Sequence, residues 1–157
     1  MTIPFRARVA RSLGSEEQLS HDLDHLSDAE WQELAQVLAA SLPDFDAVLP
    51  LPGTEQAAAW LGRARGLPEA TTPDAAGPRA IVLAAQLCSG EGAAQRVEQA
   101  QAAGWQVLMV VSVVERTSKG ARLRLARLDI PVRALVQVAD TPAGLIFERR
   151  TPDRWAS

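Results

Sequence analysis

The sequence predicts an α/β fold, a doubly wound and mostly parallel sheet with helices on both faces. Two observations carry this expectation. Several short stretches are apolar almost throughout, as strands buried on both faces are. Between them lie segments with apolar residues at helical spacing, so strand and helix alternate along the chain. The right-handed crossover preference then makes a doubly wound sheet the economical arrangement.

The elements follow in order. Residues 1–13 read as an extended arm, because Ile3, Phe5, Ala7 and Val9 alternate with Arg6 and Arg8. Ser15-Glu16-Glu17-Gln18 and Ser27-Asp28-Ala29-Glu30 both match the capping-box pattern of a helix start. After the second, Trp31, Leu34, Ala35, Leu38 and Leu42 fall on one helical face, and Pro43 ends the helix. The arm and these helices, residues 1–43, are expected to pack on an α/β core formed by residues 44–157.

Within that core, residues 46–51 (DAVLPL) form a first strand, followed by a turn and a helix over 55–65. Residues 79–85 (RAIVLAA) form a second strand, then a small-residue loop and a helix over 93–103. Residues 105–114 (WQVLMVVSVV) form a third strand, and 118–128 a helix aligning Ala121, Leu125 and Leu128. Residues 132–138 (VRALVQV) form a fourth strand, and 145–149 an edge strand or closing hairpin. The Ala/Pro/Thr-rich stretch 69–78 reads as a flexible linker. Ligands of such sheets sit beyond the carboxyl ends of the strands, which directs attention to loops 50–54, 86–92 and 115–120.

Composition excludes several functions. The chain has 157 residues, 47% hydrophobic and 22% charged, with a net charge of -3. Its single lysine, Lys119, and scattered arginines are not the clustered basic surface that nucleic acid requires. No run approaches the eighteen or so apolar residues of a membrane helix, so no membrane partner and a cytoplasmic location are expected. The lone Cys88 builds neither a disulfide nor a cysteine metal site.

At the second loop the chain resembles the type I phosphoribosyltransferases, and the orotate-type members in particular. The resemblance spans residues 45–140, roughly three fifths of the chain. It rests on AIVLAAQLCSGEG, on the following helix and strand ending in Val-Glu-Arg, on ARLRLARLDIPVRALVQVAD, and on DAVLPLPGTEQAAAWLGRARGLP upstream. It implies that Cys88, Ser89, Gly90, Glu91 and Gly92 match the loop cradling the substrate's 5'-phosphate, and Pro52, Gly53, Thr54 and Glu55 the pyrophosphate loop. The family's two ribose-gripping acids correspond here to Ala84 and Ala85, which accept no side-chain hydrogen bond. Glu91 and Glu55 add carboxylates where anions would lie, and no basic lid stretch follows the first core helix.

The resemblance therefore implies a module without catalytic residues and with no resident cofactor, serving regulation or assembly, with a phosphate-bearing small molecule as residual ligand. A homodimer or a protein partner is implied too, with Trp31 and the N-terminal helices at the interface. The alternative is a divergent enzyme acting with Mg²⁺ on a purine or pyrimidine base, with Asp44, Asp46 or Glu115 standing in for the missing acids.

Bland readings stand beside these. Residues 88–92 serve equally as a tight strand-to-helix turn, and Glu91 as a first-turn acid complementing the helix dipole. Cys88, near a helix N-terminus, is a candidate for a lowered pKa, but no His follows it as a base. His21 and His25 have a metal-ligand spacing without a third ligand, and no metal is expected. Trp31, Trp60, Trp105 and Trp155 read as core or interface anchors. Arg122, Arg124 and Arg127 read as a solvated face.

Overall fold

A computed structural model describes residues 7, 9–11, 13–67 and 78–148. Helix α1 (Glu16–Asp24) and helix α2 (Asp28–Ser41) come first, then strand β1 (Ala47–Pro50) and helix α3 (Glu55–Ala64). Strand β2 (Arg79–Leu87), helix α4 (Glu91–Ala102) and strand β3 (Gln106–Arg116) follow. A 3₁₀ turn (Thr117–Lys119), helix α5 (Ala121–Ala126), strand β4 (Val132–Thr141) and strand β5 (Gly144–Phe147) complete them. The strands lie in plain sequence order, β1 to β4 parallel and β5 antiparallel on β4. The mostly parallel sheet and the closing hairpin are those the sequence predicts, and so are the helices from α1 to α4.

Each face of the sheet holds its own core. The first cluster joins α1, α2 and α3 (Leu19, Leu34, Leu38, Leu61) to Ile81, Leu83 and Val111. The second joins α4 and α5 (Val97, Ala100, Leu125) to Ala80, Val82 and Val110. Alternate strand residues thus serve opposite faces, which is why the middles of β2 (Ala80–Ala85) and β3 (Val107–Val111) are apolar without interruption. α3 and α4 cover opposite faces while the strands advance in one direction across the sheet. The linker expected over 69–78 lies outside the described residues except for Pro78.

Near the carboxyl ends the pleat inverts. Ala85, Val113 and Leu135 pack on the first cluster, and so do their immediate neighbours Val114 and Val136. The aligned residue of β2, Gln86, likewise turns to α1, where its Nε2 donates to Ser20 Oγ at 3.1 Å. In the row between, neither Ala85–Val113 nor Val113–Leu135 pairs in register. Beyond it, Glu115 faces α5 and Arg116 faces α1.

Two expectations are corrected. Ala7 and residues 9–11 are helical rather than extended, and Val9 is buried in the first cluster. The stretch Ala-Arg-Val-Ala-Arg holds four strong helix formers, which outweigh a short alternation. The helix expected over 118–128 is broken at Gly120, whose φ of 88° ends the 3₁₀ turn before α5 begins. Ser27 and Glu30 complete the expected capping box of α2. At α1 only half forms, since Gln18 turns its side chain to Asp22.

Candidate functional site

The loop after β1 is closed on itself. Thr54 is fully buried, and its hydroxyl is shared between Leu51 O at 2.6 Å and Leu83 O at 3.1 Å. It ties β1 to β2 and faces no solvent. Gly53 has φ of 90°, and its N–H donates to the Glu55 carboxylate at 3.0 Å and 3.3 Å. Glu55 therefore occupies the backbone donor that an external anion would need, while Pro52 stands exposed beside it. A carboxylate on that amide at the start of α3 also complements the helix dipole.

The loop after β2 is held by packing. Gly90 has φ of 77°, and a Cβ there would lie 2.9 Å from the Cβ of Ala121. The turn needs glycine because α5 comes this close, a requirement separate from any ligand. Arg124 Nε reinforces the contact by donating to Ser89 O at 3.0 Å. Ser89 Oγ accepts from Glu91 N at 3.4 Å, and Ala94 N donates to Gly90 O at 2.8 Å. Ser89, Glu91 and Gly92 are exposed. Cys88 is half-buried, and burial pushes its thiol pKa up, opposed only in part by the Arg116 charge. The lowered pKa considered for it is not found, because desolvation outweighs the nearby cation.

Ala84 is 1% exposed and Ala85 half-buried, so both positions present only methyl groups at this edge. The polar chemistry of this edge begins one residue later. Arg116, 1% exposed, donates from Nε and Nη2 to Asp140 at 3.0 Å and 2.8 Å. Its Nη1 reaches Gln86 Oε1 at 3.3 Å and Glu16 Oε1 of α1 at 3.2 Å. Lys119 Nζ lies 3.3 Å from Asp140, and Ser118 Oγ accepts from Asp140 N. The Arg116 hydrogen bonds, chiefly, hold the Asp140 carboxyl below its ordinary range, and those of Asp140 raise Arg116.

Sequence reasoning missed this cluster. Val-Glu-Arg was visible only as a strand ending, and nothing local connects it to Glu16 or Asp140. The inverted pleat, which sends Arg116 toward α1, leaves no periodic signal.

The substitute carboxylates do not converge on the loops. Asp46 pairs with Arg79 at the amino ends of β1 and β2, and Asp44 with Arg65 at 3.6 Å just before β1. Glu115 is buried at the carboxyl end but held by Arg122 (2.8 Å and 3.1 Å) and Gln137 (3.0 Å) on the α5 side. Arg122 is therefore tied to a buried carboxylate, a correction to the solvated face, while Arg124, which donates to Ser89 O, and Arg127 are exposed as expected.

Trp31 is 4% exposed inside the first cluster, so its contacts are internal and it is withdrawn from the interface expected of it. Trp105 is buried in the second cluster, Trp60 donates to Asp28, and Trp155 lies outside the described residues. His21 and His25 stack at 4.1 Å, with His25 Nδ1 against His21 O. Among the described residues no group of three or more His, Cys, Asp or Glu is placed to hold a metal ion. No described helix is long and apolar enough to cross a membrane.

No protein-family model and no curated protein matches the chain. Solved structures do. UMP synthase of Leishmania donovani superimposes with a TM-score of 0.60 at 20% identity, over 69% of this chain and 27% of that one. This chain thus spans about a quarter of that protein's length. Orotate phosphoribosyltransferase of Aeropyrum pernix matches with a TM-score of 0.53 at 25% identity, over 82% of this chain and 75% of that one. The Mycobacterium tuberculosis orotate enzyme, in complex with 5-phospho-α-D-ribosyl 1-diphosphate, gives 0.57 at 21%, over 70% and 72%. Sheet order, loop placement and these superpositions agree, and the chain has a type I phosphoribosyltransferase-like fold.

Proposed function

We propose that this chain is a non-catalytic phosphoribosyltransferase-like module that serves regulation or assembly in the cytoplasm. Its partner is a second copy or another protein, and any small-molecule role is weak binding of a phosphate or nucleotide at loop 88–92. The observation that carries this reading is the absence of carboxylates at Ala84 and Ala85. A ribose hydroxyl pair needs strong acceptors, and methyl groups offer none. The filled state of the neighbouring donors supports it further. Glu55 takes the Gly53 amide, while Asp140 and Glu16 take Arg116.

The M. tuberculosis enzyme is described with phosphate and with phosphoribosyl pyrophosphate, so that ligand is the one to test here. A magnesium ion bound with such a ligand would find no side-chain oxygen at Ala84 or Ala85. Calorimetric titration of the wild-type protein with phosphoribosyl pyrophosphate and Mg²⁺ tests the reading. No heat at millimolar ligand is expected. Micromolar binding would instead support a divergent transferase acting on a purine or pyrimidine base. The double variant Ala84→Asp, Ala85→Asp is expected to show no turnover. Measurable transfer would mean that the two acids are all that separates this chain from an enzyme.

A further inference from the structure

We propose that helix α1 is an intramolecular occupant of the sheet's carboxyl edge. Its Glu16 carboxylate and Ser20 hydroxyl take the places of an anionic, hydroxyl-bearing ligand on Arg116 and Gln86. The inference rests on the reading above only in taking this edge as the place where a ligand would bind.

Three observations carry it. The first is position: Gln86 and Arg116 end β2 and β3, the location at which open α/β sheets bind ligands. The second is contact chemistry. Arg116 is 1% exposed, yet Nη1 is left over from its two-point grip on Asp140 and goes to Glu16 at 3.2 Å. Gln86 accepts from Arg116 and offers its Nε2 to Ser20 Oγ at 3.1 Å, as an amide would meet a ligand hydroxyl.

The third is charge. Arg116 and Lys119 both lean on the one carboxylate of Asp140, so these three residues leave one positive charge unbalanced. Glu16 supplies the balance from a separate element, through a side chain that is 59% exposed. A contact reached from solvent is the part of the cluster that a free anion can replace. The buried Arg116–Asp140 pair is the part that persists. α1 itself stays seated through Leu19 and Leu23, so the exchange needs only its polar first turns to yield.

Glu16→Gln with Ser20→Ala tests this, with inorganic phosphate as the probe and chloride at matched ionic strength as the control. The wild-type protein is expected to show at most a slight, non-saturating phosphate-specific rise in Tm, the trace that weak binding at loop 88–92 would leave. The double variant should show a saturable rise of about 3–6 °C at 10 mM phosphate. Adding Lys119→Gln, which removes the unbalanced charge, should abolish that rise. A double variant as indifferent to phosphate as wild type would overturn the proposal and leave Glu16 and Ser20 as fold-stabilising contacts. An equal response in wild type, or a rise that survives Lys119→Gln, would overturn it as well. Failure here leaves the non-catalytic reading standing, because that reading fails only if wild type binds phosphoribosyl pyrophosphate.

Discussion

At Gly90 two constraints coincide, a φ of 77° and a would-be Cβ 2.9 Å from Ala121. Gly90→Ala should therefore lose about 2–4 kcal/mol in urea unfolding, from the left-handed backbone and from overpacking against α5. The neighbouring Gly92 meets nothing within 4 Å and has no left-handed φ, so the same change there should cost far less. Thr54→Val should cost about 1–2 kcal/mol, because two strand-end carbonyls lose their shared donor. Asp140 gives a pH signature. Arg116 depresses its folded pKa, so its stabilising contribution is complete above the unfolded value of about 3.9 and is lost as pH falls through the folded one. The stability gap between wild type and Asp140→Asn should be widest near neutrality and shrink at pH 3, which chemical denaturation at the two pH values will read.

Among the elements, α2 shows how distant residues complete a helix. Its last turn holds no basic side chain, yet Arg65 Nε donates to Ala39 O, Arg65 Nη2 to Leu42 O, and Arg133 Nη1 to Ser41 O. Arginines from beyond α3 and from β4 thus cap its carbonyls and complement its dipole. Arg65→Ala should cost about 1–3 kcal/mol by thermal or urea unfolding, given charged hydrogen bonds to otherwise unpaired carbonyls. Elements with a strong local cause were legible in the sequence. β2 and β3 announced themselves because both faces are covered, and α2 because Ser27 and Glu30 form a reciprocal cap. The helical conformation of Ala7 and residues 9–11 and the break at Gly120 were not. One is too short for its local helix propensity to register without the burial of Val9, and the other rests on a single backbone conformation. The site divides in the same way. The methyl groups at Ala84 and Ala85 could be read directly, whereas Glu16, Gln86, Arg116 and Asp140 meet only through folding.

Across the whole molecule, α1 and α2 share one cluster with α3 and the sheet. Removing residues 1–43 would leave Ile81, Leu83, Val111 and Leu61 without their cover, so the shortened chain should fail to give a cooperative thermal transition. A sharp unimpaired transition would mean that residues 44–157 fold without them. The inverted row through Gln86, Val114 and Val136 has a consequence of its own. Because of it, adjacent side chains of opposite sign part company at Glu115 and Arg116, each finding its counter-charge on a different side of the sheet. Adding or deleting one residue between Val110 and Val114 would swap their destinations. The acid would then confront Glu16 and Asp140, the guanidinium would confront Arg122, and two like-signed encounters would replace two neutral ones.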